Sequence, residues 1–416
     1  MKVYLRTFGC RANQYDTETV RALMRGAGIE EVLDPTDADM AVFNSCTVTA
    51  AAEADLRAEV RLAKRVNPGL RSIVMGCAAG LPGRDESMRP VSTLPGVEAV
   101  VAGADITALA AALGVNSLPA SSGAIQTGAR ALLRIQDGCD EHCTFCATTL
   151  ARGANRSRSV DAIVEEATAL AESHPEIVLT GIHIGTYGRD IGESLAGLVG
   201  TLIARVPIVR FRLSSVEATE VDDDLAELLI ADHSRLAPHL HAPLQSGSDA
   251  ILRRMGRHWY TSASYEAAAM RVTSGSDRFA LSADVITGFP GETNADHELT
   301  VAMVERLPFT SLHVFPYSAR PGTASLRLGH EVASSVSRSR ARQLRDIAAR
   351  KQTAYAASRS GGDCDVVITE RGKGLTEDYL SVSVSDSSLP RRERFRARLM
   401  VCNDELTAVP LPSSKS

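Results

Sequence analysis

The alternation of apolar and polar stretches divides the chain into strands, turns and helices from its first residues. Lys2 to Arg6 form a strand, Phe8-Gly9-Cys10 turns the chain, and the region Asp16 to Arg25 is helical up to a stop near Gly26. Ala41 to Phe43 is a short apolar run. Asn44-Ser45-Cys46 then leads into an alanine-rich helix from about Thr49 to Val66, ended by Asn67-Pro68-Gly69. Ser72 to Met75 is a further strand, with Gly76-Cys77 directly behind it. Cys10, Cys46 and Cys77 therefore each follow the carboxyl end of a predicted strand. In an open parallel α/β sheet those ends share one edge, where ligands bind.

Residues 115 to 128, rich in Ser, Gly and Pro, read as a boundary. Beyond them six apolar segments recur with helical material between: Leu132 to Ile135, Ile177 to Thr180, Val209 to Leu213, Leu236 to His241, Ala280 to Ile286 and Leu312 to Phe315. This rhythm predicts a complete or partial α/β barrel, with functional residues where strands run into loops. Gly138, Gly181, Ser214-Ser215, Gln245 and Gly288 stand at such places. Val332 to Ser358 is helical and arginine-rich, Gly361-Gly362 breaks it, and Cys364 to Ile368 and Tyr379 to Val384 are strand-like. The expected organisation is an amino-terminal parallel α/β domain over 1–115, a partial (β/α)6 barrel over 128–358, and a small all-β barrel over 361–412.

Composition narrows the picture less than pattern does. The 416 residues are 44% hydrophobic and carry 45 Lys and Arg against 50 Asp and Glu, a net charge of -5. That balance argues against non-specific coating of long nucleic acid and leaves room for a local basic face. No apolar run approaches the ~18 residues of a membrane span, and the first residues lack the features of a signal peptide. The expectation is a cytoplasmic protein without a membrane partner. Eight cysteines in that setting are not a disulfide framework. Cys364 and Cys402, each alone, read as small buried apolar residues.

Cys139, Cys143 and Cys146 form a Cys-x3-Cys-x2-Cys loop. Three thiolates at that spacing can ligate three irons of a [4Fe–4S] cube and leave the fourth open. A zinc site recruiting His142 as a fourth ligand stays open on spacing alone. The loop closely resembles the signature of the radical S-adenosylmethionine superfamily, in which the open iron is chelated by the cofactor's amino and carboxylate groups. Phe145, ahead of the third cysteine, is of the residue class found there in that superfamily.

Longer stretches resemble the methylthiotransferase family within it: TFGCRANQYDTE, FNSCTVTAAAEAD, MGCAA, GCDEHCTFC, RGANRSRS, VLTGIHIGTYGRD, FRLSSVEATEVDDDL, HLHAPLQSGSDAILRRMGR, ADVITGFPGET and HVFPYSARPGTAS, together spanning about 1–385. LTGIHIGTYG, RLSSVEATEVDD and HLHAPLQSGSD are most similar to the branch acting on threonylcarbamoyladenosine at position 37 of tRNA. The resemblance implies two [4Fe–4S] clusters, one held by Cys139, Cys143 and Cys146 and an auxiliary one by Cys10, Cys46 and Cys77. It implies an S-adenosyl-L-methionine pocket shaped by Phe145, Thr180, Gly181, Ser215, Glu217, Gln245, Asp284 and Ile286, with Glu217 the candidate for the cofactor's amino group or ribose. Arg156 and Arg158 are candidates for the methionyl carboxylate or a substrate phosphate.

The implied cycle uses the cofactor twice, once to methylate a sulfur associated with the auxiliary cluster and once to take hydrogen from the acceptor carbon. Implied partners are the tRNA anticodon stem-loop, a flavodoxin or ferredoxin-type electron donor and a sulfur source. The carboxyl-terminal segment resembles the family's RNA-binding TRAM domain, with Asp378 where the family has Asn. On a strand there, Arg392, Arg394 and Arg396 share one face and are candidate phosphate contacts. Two other functions remain: methylthiolation of a small molecule or peptide, and a non-enzymatic RNA-binding iron–sulfur protein.

Overall fold

The computed structural model describes residues 1–47, 50–79, 90–116, 125–231, 234–402 and 405–412. Most of the predicted boundary at 115–128 lies outside them. The chain forms two compact units: one contains 1–124, 136–156 and 318–327, the other 125–135, 157–317 and 328–416.

The first unit is built on five parallel strands: β1 (Lys2–Thr7), β2 (Glu30–Val32), β3 (Met40–Ser45), β4 (Arg71–Gly76) and β5 (Val97–Ala102), in the order β2-β1-β3-β4-β5. Alternate side chains point to opposite faces and both faces are covered. Val3, Leu5, Val42 and Ile73 pack with Val20 and Leu23 of helix Arg11–Gly26 and with Leu109 of helix Ile106–Ala112. Tyr4, Ala41, Phe43 and Val74 pack with Leu56, Val60 and Ala63 of helix Ala50–Val66. Such double-sided burial is why these strands read as continuous apolar runs. The strand order reverses direction between β1 and β3, and a reversal of this kind opens a crevice at the carboxyl ends. Cys10 and Cys46 follow those two strands.

In the second unit six strands correspond to the six apolar segments: β6 (Ala131–Arg134), β7 (Glu176–Thr180), β8 (Arg210–Leu213), β9 (His239–His241), β10 (Ala280–Thr287) and β11 (Phe309–Pro316). They pair in parallel as two three-stranded sheets, β8-β7-β6 and β9-β10-β11, joined by the single bridges Phe211 to Leu236 and Ser215 to His241. The result is a partly closed barrel whose apolar core also takes in Ala341, Leu344 and Ile347 of helix Ser334–Ser358.

Five further strands, β12 (Asp363–Glu370), β13 (Lys373–Thr376), β14 (Ser381–Val384), β15 (Arg394–Cys402) and β16 (Glu405–Pro410), close a small barrel in the order β12-β13-β14-β16-β15. Buried Arg210 and Arg212 hold this barrel to the larger one. Both clasp Glu176, at 2.6 and 2.7 Å, while Arg210 donates to the Asp365 carbonyl and Arg212 to the Thr376 carbonyl. Breaking such a charge network leaves an uncompensated buried ion, a cost of ~3–5 kcal/mol.

Two expectations change here. Cys364 is buried as expected, but Cys402 is exposed, because it is the last residue of β15, whose final three positions are all exposed. Arg392 precedes β15 and donates to the carbonyls of Gln126 and Ser173. Arg394, Arg396 and Arg398 do share the outward face of β15, yet strand β12 lies antiparallel beside them with Asp363 and Asp365. Arg394 is clasped by Asp365 at 2.6 Å and Arg398 by Asp363 at 3.0 Å, leaving Arg396 as the most open of the three, with 67% of its side chain exposed.

Candidate functional site

In the first unit the three dispersed cysteines converge on Asn13. This fully buried residue lies one turn into helix Arg11–Gly26, three positions beyond Cys10. Its Nδ2 donates to the Phe8 carbonyl at 3.1 Å, to Asn44 Oδ1 at 3.2 Å and to the Ser45 carbonyl at 2.6 Å, tying together the chain leaving β1 and the end of β3. Its Oδ1 lies 3.7 Å from the sulfurs of both Cys10 and Cys77. Cys46 lies beside Gly9, the residue directly before Cys10. Gly9, at φ +108°, passes so near that an added Cβ would lie 2.6 Å from Cys46 Sγ. Cys10 is exposed, whereas Cys46 and Cys77 are buried. Burial pushes the Cys77 thiol up to about 12, with Arg152 pulling in the opposite direction.

The contiguous loop belongs to the same unit. Cys139, Cys143 and Cys146 are all half-buried, and backbone amides point at two of the sulfurs: Glu141 N at 3.4 Å from Cys139 Sγ and Thr148 N at 3.4 Å from Cys146 Sγ. Amides directed at sulfur lower the cost of negative charge there. His142, the fourth donor a zinc site would recruit, is exposed. Phe145 is half-buried. Gly138, at φ +74°, precedes Cys139, and any side chain there would overlap the Ala154 carbonyl. Each group consists of three soft thiols without a disulfide, a donor set that fits an iron–sulfur cluster with one open iron.

Arg152 connects the two groups. It ends the short helix Thr148–Arg152 behind the loop, and its side chain is 1% exposed. Nη2 binds Asp16 at 2.6 Å and Asn13 Oδ1 at 3.1 Å, Nη1 reaches Asp137 at 3.4 Å, and Nε donates to Cys77 Sγ at 3.2 Å. Arg156 is mostly exposed beside Asp137.

In the second unit several expected pocket residues stand at strand ends or line the barrel. Thr180, closing β7, is buried and its Oγ1 has no hydrogen-bond partner among the described residues. A buried orphan hydroxyl costs free energy unless a ligand satisfies it. Gly181 and Ser215 are half-buried, and Gln245, at φ +62°, bridges to β10 by accepting from Ile286 N. Glu217 is committed elsewhere: one oxygen takes Arg257 and the other the Trp259 indole at 2.5 Å. Asp284 is the more available carboxylate. Burial pushes it up, but His241 and His313, whose nitrogens lie 3.3 and 3.2 Å from Oδ1, more than reverse that and hold it below the usual carboxylate range. These three residues, on adjacent strands β9, β10 and β11, also form the one group among the described residues with the compactness to hold a metal ion. Arg158 is spent on Glu166 and the Arg134 carbonyl.

Sequence reasoning missed Asn13, Asp16, Arg152, His241 and His313. Asn13 stands three residues beyond Cys10 and Asp16 three beyond Asn13, so each is a helical neighbour of the one before it.

A partly closed parallel barrel whose first strand is followed in sequence by a Cys-x3-Cys-x2-Cys loop defines a radical S-adenosylmethionine enzyme. Residues 133–304 match the family model of the radical SAM superfamily, and residues 2–93 match a model described as an uncharacterized protein family, UPF0004. A solved structure of the radical S-adenosylmethionine methyltransferase TsrM from Kitasatospora setae shares the fold at a TM-score of 0.55 and 14% identity, covering 76% of this chain and 72% of that one.

Full-length relatives are nearer. The threonylcarbamoyladenosine tRNA methylthiotransferase MtaB of Bacillus subtilis is 33% identical, covering 92% of this chain and 88% of that protein. MtaB of Thermotoga maritima is 34% identical, covering 83% and 81%. The tRNA-2-methylthio-N(6)-dimethylallyladenosine synthase of Citrifermentans bemidjiense is 33% identical, covering 91% and 89%. The chain belongs to the radical SAM methylthiotransferase family and is an S-adenosylmethionine-dependent enzyme. Among the described residues no helix is long and apolar enough to cross a membrane.

Proposed function

We propose that this enzyme places a methylthio group on the adenine 2-position of N6-threonylcarbamoyladenosine at position 37 of tRNA. The observation that carries the reading is the second set of thiols, Cys10, Cys46 and Cys77, drawn together around Asn13 in the compact unit that also holds the Cys139, Cys143 and Cys146 loop. A radical enzyme that only abstracts hydrogen needs one cluster. Inserting sulfur at a C–H position also needs a sulfur-bearing site, and a second trio of soft donors supplies one. When bound, S-adenosylmethionine supplies both the methyl group and the hydrogen-abstracting radical.

The chain's own residues position and exclude. Cys139, Cys143 and Cys146 hold the radical-generating cluster, and Cys10, Cys46 and Cys77 hold the auxiliary one. Thr180 Oγ1 offers an unspent hydroxyl in the cofactor pocket, and Asp284, kept ionised by His241 and His313, offers a carboxylate for the cofactor's ammonium or ribose. The Arg257 and Trp259 contacts give Glu217 a positioning role in the pocket wall. In the small barrel, Arg396 is the open phosphate contact, working beside arginines that hold the barrel together. A flavodoxin or ferredoxin delivers the electrons.

The threonylcarbamoyl branch is supported by the names of the MtaB relatives and by the LTGIHIGTYG, RLSSVEATEVDD and HLHAPLQSGSD segments. Deleting the gene in its host and measuring total tRNA nucleosides by mass spectrometry tests the assignment. Loss of 2-methylthio-threonylcarbamoyladenosine is expected. Loss of the methylthio-dimethylallyl nucleoside instead would move the enzyme to the other branch, and no change in either, with no second enzyme present, would remove tRNA as the acceptor. The pairing of Arg394 and Arg398 with acids gives the small-molecule or peptide alternative its one structural support.

A further inference from the structure

We propose that Arg152 is a positioning residue that donates a charge-assisted hydrogen bond to the sulfur of Cys77 in the auxiliary cluster and thereby raises that cluster's reduction potential. The inference rests on the two-cluster reading above and adds to it a link between the sites: the arginine that ends the helix behind the radical-generating loop contacts a ligand of the other cluster.

Arg152 is expensive to bury, and its environment shows what the expense secures. Asp16, itself 1% exposed, binds Nη2 at 2.6 Å, and Asp137 lies 3.4 Å from Nη1. Two carboxylates already offset the charge. A guanidinium serving only as a structural link would turn its remaining donor to a carbonyl or carboxylate, as Arg212 does with Glu176 and the Thr376 carbonyl. Arg152 instead directs Nε at Cys77 Sγ, 3.2 Å away, while Nη2 also holds Asn13 Oδ1 at 3.1 Å. The planar fork fixes these donors relative to one another, so the Asp16 contact orients the Nε–H toward sulfur.

Cys77 and Cys46 are withdrawn from water, so the negative charge of ligating thiolates there would be poorly screened by solvent. Each electron added increases it. A buried cation donating to a ligand sulfur stabilises the reduced state more than the oxidised one, which moves the potential upward. The same contact makes the geometry around Cys77 depend on the helix that follows the radical-generating loop.

The test uses the full chain with Cys139→Ala, Cys143→Ala and Cys146→Ala, so that only the auxiliary site takes up iron. With Arg152 present, anaerobic reconstitution should give about four irons per chain. If this chain binds no iron, the two-cluster reading itself fails. Provided it loads, Arg152→Lys and Arg152→Gln are added and each midpoint potential is read by titration followed by electron paramagnetic resonance. A negative shift is expected, with the reduction equilibrium falling about tenfold, or ~59 mV for one electron. Unchanged potentials in variants that retain iron would overturn the role of Arg152.

Loss of iron in the variants is resolved by a second measurement that needs no substitution at 152. Arginine labelled with 15N at Nε alone in the parent chain should show a hyperfine coupling to the reduced cluster. Absence of that coupling overturns the hydrogen bond, and its presence supports it.

Discussion

The two cysteine triads present the same three ligands by opposite means. Cys139, Cys143 and Cys146 sit on one loop, all half-buried, with the sulfurs of Cys139 and Cys146 served by local backbone amides. Cys10, Cys46 and Cys77 come from three strand ends up to 67 residues apart, and two of them are buried. The first group is a local structure that any scaffold with the right turn could carry. The second exists only because the order β2-β1-β3-β4-β5 brings the ends of β1, β3 and β4 side by side. A local triad depends on its loop. A dispersed triad depends on the whole sheet and on the residue that joins the strand ends, Asn13.

The largest effect should separate the two triads completely. Replacing Cys139, Cys143 and Cys146 with Ala is expected to abolish reductive cleavage of S-adenosylmethionine and every product that follows from it. Replacing Cys10, Cys46 and Cys77 should abolish methylthiolation while 5′-deoxyadenosine is still formed. Iron per chain should fall from about eight to about four in each case. Iron analysis with chromatographic assay of 5′-deoxyadenosine reads both. Unchanged iron after loss of the dispersed cysteines would end the comparison, because they would then be ordinary buried thiols.

What the sequence made legible follows the same division. The six barrel strands were visible because parallel strands covered on both faces are written as apolar runs, and the loop triad was visible because its spacing is its structure. Strand β2 was missed because Glu30 and Glu31 lie exposed on a sheet edge, and β5 because half of its positions are exposed or polar. Asn13, Asp16 and Arg152 were not singled out because Asn, Asp and Arg usually face solvent. Their burial results from strand order and from a contact 136 residues along the chain. Glu217 was given a ligand role that its pairing with Arg257, 40 residues away, redirects. The arginines of β15 looked like a basic face because the antiparallel register that sets Asp363 and Asp365 beside them is invisible in one dimension.

A smaller effect sharpens the dependence on Asn13. Asn13→Ala removes donors to Phe8, Asn44 and Ser45 and the acceptor for Arg152, so the ends of β1 and β3 lose their common tie. Retention of auxiliary iron against a competing chelator should weaken about 10- to 100-fold, the range typical of residues that orient metal ligands. The loop cluster, whose three ligands lie on one short segment, should keep its iron. Equal loss from both sites would show that the two triads form one cooperative structure.

The smallest effect tests the local triad by its own backbone. Gly138 occupies φ +74° immediately before Cys139, and its missing Cβ leaves room for the Ala154 carbonyl. The Cys139 amide then donates to the Gly153 carbonyl at 3.0 Å, closing the base of the loop. Gly138→Ala forces an L side chain into a left-handed conformation at a crowded point, a cost of ~1–3 kcal/mol. The strain should fall on the loop, so iron there should leave faster during chelation while auxiliary iron keeps the rate of the parent protein. Gly9→Ala, which drives a methyl group toward Cys46, should produce the mirror image: faster loss from the dispersed site and an unchanged loop. If either glycine variant loosens both sites to the same extent, the division between a local and a topological triad is too sharp, and the Arg152 contact to Cys77 is the route through which strain at one site would reach the other.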